Sequence, residues 1–467
     1  MKNAYKILFA ASALVCLFGN IALAQNFAKQ MRVDFKETTL KNGLRVITIE
    51  DNSAPVISLA ITYNVGSRNE KEGRTGFAHL FEHMMFKGSE NVGSGEHFTL
   101  VFNNGGTMNG TTNEDRTNYF EALPANQLDL ALFLEADRMR SLAITKENLD
   151  NQRNAVQEER RLGVDNAPYG KTDEMFDSLI FDNFAYKHST IGSMDDLNAA
   201  SVEDVAQFFK TYYAPNNAVL TLVGDFKTED ALVRIRKNFE NIPQQPTPPA
   251  VDMTEPAQKG ERRAAVEDQL ARLTRVDIAF KAVPGNTPEF YALQVLSSAL
   301  QNGQSSRLYQ KLVKEKQLAT SVSGYMDERR GVGAFYIQAS VAPGKNASDV
   351  EAAIYEEIEN MKTAAIADWE LQKAKNSTRR GFINGLQSSL NRAVQMGIYT
   401  VYFNDPNLIN TRLDKVNAVT AAQVQQAASK YLQPTNRTVI VTTPKAAAAR
   451  PAATGGATAN NSTPTKN

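Results

Sequence analysis

The chain has 467 residues, 42% of them hydrophobic and 22% charged, with 51 basic residues against 51 acidic ones. That composition supports a packed core over most of the length and room for two or three domains, and it excludes a largely disordered chain. The balanced charge excludes a polyanion such as nucleic acid as the expected partner, because binding one needs a cationic excess.

Residues 1–24 read as a secretory signal peptide. Lys2 and Lys6 precede ILFAASALVCLFGNIALA, and Ala22-Leu23-Ala24 forms a small-x-small cleavage site. Cleavage after Ala24 predicts a periplasmic or secreted protein. The only cysteine, Cys16, would leave with the leader, so no disulfide is expected in the mature chain. Ala13-Leu14-Val15 is a poor lipoprotein cleavage site. No later run reaches the roughly 18 apolar residues of a spanning helix, so no transmembrane segment is expected after the leader.

The next elements point to an α+β fold. GLRVITIEDN (Gly43 to Asn52) and PVISLAITYNVGS (Pro55 to Ser67) are β-rich runs joined by a short polar loop, which predicts a hairpin. FAHLFEHMMFKGS, from Phe77, holds two of the four histidines. On a helix His79 and His83 stack one turn apart, with Glu82 beside them. Phe77, Leu80, Phe81, Met84 and Met85 form the apolar side. Two neutral imidazoles at this spacing suit zinc, and the carboxylate is near enough to take a proton from a metal-activated water.

Catalytic zinc takes three protein ligands and leaves one position open. His97, in a Gly-Ser-Gly stretch, and His188, in YKHSTIGS, are read as making ordinary loop hydrogen bonds. The stretch TKENLDNQRNAVQEERRLG offers Glu158 and Glu159 instead. With about 100° per residue from Val156, Leu149, Ala155 and Leu162 centre an apolar sector near 310°. Glu159 falls near 300° and Glu158 near 200°. A carboxylate pointing inward needs a partner, so Glu159 is the candidate third ligand. Glu158, Arg160 and Arg161 read as a solvated charge cluster. Between these stretches, PANQLDLALFLEADRMRSL (Pro124 to Leu142) has the period of a long amphipathic helix, and ASDVEAAIYEEIENMK (from Ala347) reads as its counterpart.

The chain carries two copies of one pattern. SVEDVAQFFKTYYAPNNAVLTLVGD begins at Ser201 and TAAQVQQAASKYLQPTNRTVIVTTP at Thr420, so Pro215 matches Pro434 and Asn217 matches Asn436. Each reads as a capping hydroxyl, a helix, a proline turn and a strand. One fixed offset suggests a duplicated domain. The expected layout is a leader (1–24), an N-terminal metal-bearing α+β domain (28–243), a Pro-rich linker (244–263), a C-terminal α+β domain without a metal site (264–444) and a small, polar, disordered tail (445–467). Adjacent strand runs favour a mostly antiparallel mixed sheet in each domain, with helices packed on one face.

His79-Leu80-Phe81-Glu82-His83, followed by Glu159, resembles the inverted zinc-peptidase signature of the pitrilysin/insulinase family. NGGTMNGTTNEDRTNYFE, NQRNAVQEERR, the run from Lys187 to Phe226, and GQSSRLYQKLVKEKQLATSVSGY are also similar to stretches of that family. The size and two-half layout resemble the half-length bacterial branch and mitochondrial processing peptidase subunits. The resemblance implies one Zn2+ per chain on His79, His83 and Glu159, and Glu82 as the base of a zinc endopeptidase. It implies an extended peptide or unfolded segment added as a strand at a sheet edge, along Asn109, Gly110, Thr111 and Thr112. Two positions depart from the family pattern. Gln152 stands where relatives carry a Glu, a neutral amide in the shell around the ligands. Val313 and Thr320 stand where relatives carry Arg and Tyr, which serve the oxyanion of a tetrahedral intermediate. A homologous partner subunit would then supply that pair in a heterodimer. A homodimer using Arg307 or Tyr325 is the other assembly, and a non-catalytic assembly or peptide-binding subunit is the other function.

Overall fold

The computed structural model describes residues 32–445. The expected leader with Cys16, and the expected disordered tail beyond Lys445, lie outside the described residues. Two mixed sheets carry the chain. The first contains β1 (Lys36–Thr39), β2 (Arg45–Glu50), β3 (Val56–Tyr63), β4 (Thr107–Thr112), β5 (Thr117–Pro124) and β6 (Ala218–Gly224), in the order β1-β2-β6-β3-β5-β4. The second contains β7 (Arg262–Asp268), β8 (Arg275–Pro284), β9 (Ala319–Met326), β10 (Val332–Val341) and β11 (Arg437–Pro444), in the order β7-β11-β8-β10-β9. Each sheet has one parallel pair, β2 with β6 and β7 with β11, and is otherwise antiparallel. This is the α+β, mostly antiparallel duplicated architecture that the strand spacing implied.

The repeat is literal at the end of each half. Val202–Tyr212 and Ala421–Tyr431 are helices, each opened by a capping box on Ser201 or Thr420. Proline turns Pro215–Asn217 and Pro434–Asn436 follow, then β6 and β11. Asn217 Nδ2 donates to the Tyr212 carbonyl at 2.8 Å, and Asn436 Nδ2 donates to the Tyr431 carbonyl at 2.7 Å. Each amide ties the helix end to the strand that follows it.

The expected hairpin of β2 with β3 does not form. β6 lies between them, paired parallel to β2 and antiparallel to β3. Every residue of β6 is buried, so it needs a neighbour on each side. The five-residue link 51–55 can span roughly 17 Å, more than the roughly 10 Å across one intervening strand. Nothing in it is a tight hairpin turn.

On one face, each sheet packs against helices of its own half. In the first, Ile57, Leu59, Ile61 and Tyr63 meet Phe81, Leu132 and Ile235. In the second, Ile278 and Phe280 meet Leu293, Ile354 and Val424. The opposite faces are covered by exchange between the halves. Ala393, Met396 and Tyr399 of the helix Ser389–Phe403 cover Ile47, Ala60 and Val223 of the first sheet. Ile180, Phe181 and Tyr186 cover Ala279, Ala334 and Tyr336 of the second. Each half therefore buries apolar surface of the other, and the two are held together without a disulfide among the described residues. β4 is the last strand of the first sheet and leaves one edge unpaired within it.

Candidate metal centre

Helix α1 (Phe77–Met84) begins at Gly76, whose φ of 84° places it in the left-handed region. A Cβ there would approach the Ile191 carbonyl oxygen to 2.7 Å, so only glycine lets the chain turn and pack at once. Phe77, Leu80, Phe81, Met84 and Met85 are all buried. Phe81 sits 4.1 Å from the Tyr213 ring, which pins the helix to the first core. With that face inward, His79 and His83 come to the open side.

Glu159 lies on the helix Lys146–Arg160, opened by Thr145 accepting from the Asn148 N–H. Leu149, Gln152 and Val156 are its buried stripe. The Glu159 side chain is 52% exposed. It therefore does not point into a core, as its place in the apolar sector suggested; it stands at the rim and faces the imidazoles. His79 Nε2 and His83 Nε2 are 3.3 Å apart, and Glu159 Oε2 lies 3.6 Å from the first and 3.4 Å from the second.

Three electron-rich atoms converge there. Burial, and then the neighbouring His83, push the His79 pKa down to about 4, so this imidazole is neutral near pH 7. The hydrogen bond with His83 holds Glu159 below the usual carboxylate range. A tetrahedral ion with bonds of about 2.0–2.1 Å sets its ligand atoms roughly 3.3–3.4 Å apart, close to the triangle observed. Nitrogen and carboxylate donors are those zinc takes. Among the described residues this is the one cluster of three or more His, Cys, Asp or Glu with donor atoms within 4.8 Å of one another.

Glu82 is buried on α1 beside His83, and burial raises its pKa. Thr112 Oγ1 donates to Glu82 Oε2 at 2.5 Å. Gly110 makes the approach possible. A Cβ there would come within 3.0 Å of Glu82 Cγ and 3.1 Å of Oε1. Strand alternation places Met108, Gly110 and Thr112 on the α1 side of β4 and Asn109 and Thr111 on the other. Thr112 thus meets Glu82, a role the peptide-edge reading did not give it, and Thr111 bonds Asn118 Oδ1 at 2.6 Å. Asn109 is exposed, and its Oδ1 accepts from the Gly110 N–H at 2.9 Å.

The other singled-out residues divide. Gln152 is buried, yet its amide donates to Asn151, and the buried His79 Nδ1 has no hydrogen-bond partner. Glu158 pairs with Arg161 at 3.0 Å on the surface. Arg160 is no part of a solvated cluster: it is buried and bonds Glu174 and the Gly192 carbonyl. The i, i+1 charge run hid this, because only the packing of 170–192 onto the helix buries it. His97 lies on the helix Glu96–Asn103 rather than in a loop, and burial pushes its pKa down to about 3. Val313 lies on the helical turn Tyr309–Glu315 and Thr320 on the outermost strand β9. Arg307 is held by Glu370 at 2.8 and 2.7 Å, and Tyr325 is exposed, stacked on Tyr336 at 4.8 Å. Among the described residues no helix is long and apolar enough to cross a membrane.

Comparison with known proteins assigns the family. Residues 45–192 match the pattern described as Insulinase (Peptidase family M16), and residues 199–378 match Peptidase M16 inactive domain. A protein of Helicobacter pylori named Zinc protease PqqE is 30% identical over 442 residues, covering 94% of this chain and 98% of that one. The crystal structure of a protease from Helicobacter pylori superposes with a TM-score of 0.84 at 31% identity, covering 88% of this chain and 100% of that one. An Arabidopsis thaliana protein named Probable mitochondrial-processing peptidase subunit beta is 24% identical, covering 85% of this chain and 76% of that one. The chain belongs to the insulinase family, peptidase family M16, and resembles its half-length zinc protease members.

Proposed function

We propose that the chain is an exported zinc-dependent endopeptidase that cleaves peptides or unfolded segments. The observation that carries this reading is the convergence of His79, His83 and Glu159 from two helices, with the buried Glu82 beside them. His79, His83 and Glu159 would hold one Zn2+, which supplies Lewis acidity at a peptide carbonyl. Glu82 takes the proton of the attacking water and passes it to the leaving amine. Thr112 holds one Glu82 oxygen, leaving the other for that proton. The unpaired edge of β4 is suited to an extended substrate lying as an added strand, with Asn109 releasing the Gly110 N–H as it docks. Main-chain pairing of that kind selects unfolded chain over side-chain sequence.

Export rests on the leader chemistry of residues 1–24. A dimer is part of the proposal because neither Val313 nor Thr320 supplies a cation or a phenol, and Arg307 is already engaged by Glu370. A homologous subunit contributes the missing pair; a homodimer would have the exposed Tyr325 to offer. The same two positions favour the second reading, a peptide-binding assembly subunit. Zinc content and a peptide-library digest decide. Glu82→Gln is expected to keep one zinc per chain and lose hydrolysis. Retained hydrolysis removes Glu82 from the mechanism, and substoichiometric zinc in the unmodified protein favours the binding role.

A further inference from the structure

The segment 184–200 touches both donor-bearing helices. On the Glu159 side, the Gly192 carbonyl accepts from Arg160 Nη1 at 2.8 Å, and the Leu197 and Ala200 carbonyls accept from Arg153 at 2.9 and 2.6 Å. On the α1 side, Asp196 accepts from the Thr75 N–H at 3.0 Å, and the Ser193 N–H donates to Thr75 Oγ1 at 3.1 Å. This segment is a brace across the two elements that must hold one ion.

Glu70 and His188 close the brace. Gly76 has no side chain to cap α1. The fully buried Glu70 carboxylate does so from outside, accepting from the Gly76 and Ala78 N–H groups at 2.9 and 2.7 Å. His188 Nε2 lies 2.9 Å from Glu70 Oε2 and 3.1 Å from the Ser67 carbonyl oxygen, and His188 Nδ1 lies 2.8 Å from the Phe184 carbonyl oxygen. Both Glu70 oxygens already accept backbone N–H bonds, which favours the carboxylate, and with Glu70 ionised every one of these partners is an acceptor. A neutral imidazole has one N–H and would set a bare lone pair against an oxygen on its other nitrogen. Against an ionised Glu70, both ring nitrogens carry protons.

We propose that His188 is a positioning residue, held as an imidazolium, whose ion pair with Glu70 fixes the start of α1 and so sets His79 and His83 against Glu159. This rests on the reading of those three residues as metal ligands. Burial opposes a charge on His188, but Glu70 and the two carbonyls outweigh it and raise its pKa above the usual imidazole value. Burial raises the Glu70 carboxyl as well, opposed by His188 and the two N–H groups. The His188 ring is stacked on Phe184 at 4.4 Å. Nearby charges have partners of their own: Arg68 with Asp115, Arg74 with Asp204, Arg160 with Glu174, and Asp196 with Thr75. A raised imidazole pKa stabilises fully below the unfolded value near 6.5, and that stabilisation is lost as pH rises through the folded value.

Two measurements on the full chain test this. Nitrogen-15 imidazole spectra of the zinc-loaded protein should show one ring still protonated on both nitrogens at a pH where an ordinary imidazole, with a pKa of about 6.5, has lost its proton, and that signal should be absent from His188→Gln. Zinc affinity, read by chelator competition, should fall roughly 10- to 100-fold in His188→Gln. The gap from the unmodified protein should narrow as pH rises through the His188 pKa, and His188→Lys, which keeps the cation, should recover part of it. Wild-type zinc affinity in His188→Gln overturns the proposal. So does a spectrum without a doubly protonated ring, which needs no variant to fold. If the unmodified protein binds no zinc, the metal reading fails, and the same spectra taken on the metal-free protein still judge His188.

Discussion

Thr112→Val removes one hydroxyl and almost no volume, and so isolates what that hydroxyl does for Glu82. The bond is short, 2.5 Å, and its acceptor is a buried carboxylate. A hydrogen bond to a charged group contributes about 1.5–3 kcal/mol, and each 1.4 kcal/mol is about tenfold in rate, so kcat should fall roughly 10- to 150-fold. Thr112 touches none of the three donor atoms, so zinc content should stay at one per chain, and KM should move little. Thr363→Val is the control. It loses a hydroxyl bond to the Glu359 carbonyl at 2.9 Å on the helix Ala347–Thr363 of the second half, and kcat should stay within a factor of a few. The assay is steady-state cleavage of a quenched fluorescent peptide beside metal analysis of the same samples. Wild-type kcat in Thr112→Val, or an equal loss in both variants, refutes the reasoning that this hydroxyl holds the base.

Gly110→Ala places a methyl group 3.0 Å from Glu82 Cγ, so the carboxylate must shift by a few tenths of an ångström. Since misplacement by about 1 Å costs about 100-fold, a several-fold fall in kcat with zinc retained is expected from kinetics and metal analysis. Gly397→Ala drives a Cβ to within 2.2 Å of Thr62 Oγ1, where the helix Ser389–Phe403 lies on the first sheet. Overpacking of this kind costs about 1–3 kcal/mol, read as a lower urea midpoint, and an unchanged midpoint would mean that the contact relaxes freely. Burial raises the Asp177 pKa to about 6. That carboxyl stabilises the fold below its unfolded pKa of about 3.9 and loses the contribution as pH rises toward about 6. Asp177→Asn should flatten stability over that window in pH-dependent denaturant titrations; an unaltered slope would exclude Asp177 as its source.

The periodic features were legible in the order of the residues alone. The i, i+4 spacing of His79 and His83 and the apolar face behind them follow from helix geometry, which needs no distant partner. The repeated cap, helix, proline turn and strand, starting at Ser201 and Thr420, is local chemistry written twice, and so is the duplicated α+β layout. Whatever depends on the neighbours an element acquires emerged only with the packed fold. β6 enters between β2 and β3 because a strand buried along its whole length needs two partners, which no five-residue loop reveals. Glu159 stands at a rim rather than in a core because α1 approaches one side of its helix only. Arg160 is buried because residues 170–192 pack over its helix, and His188 is set between Glu70 and two backbone carbonyls contributed by distant or folded-back chain, neighbours that one-dimensional spacing does not record.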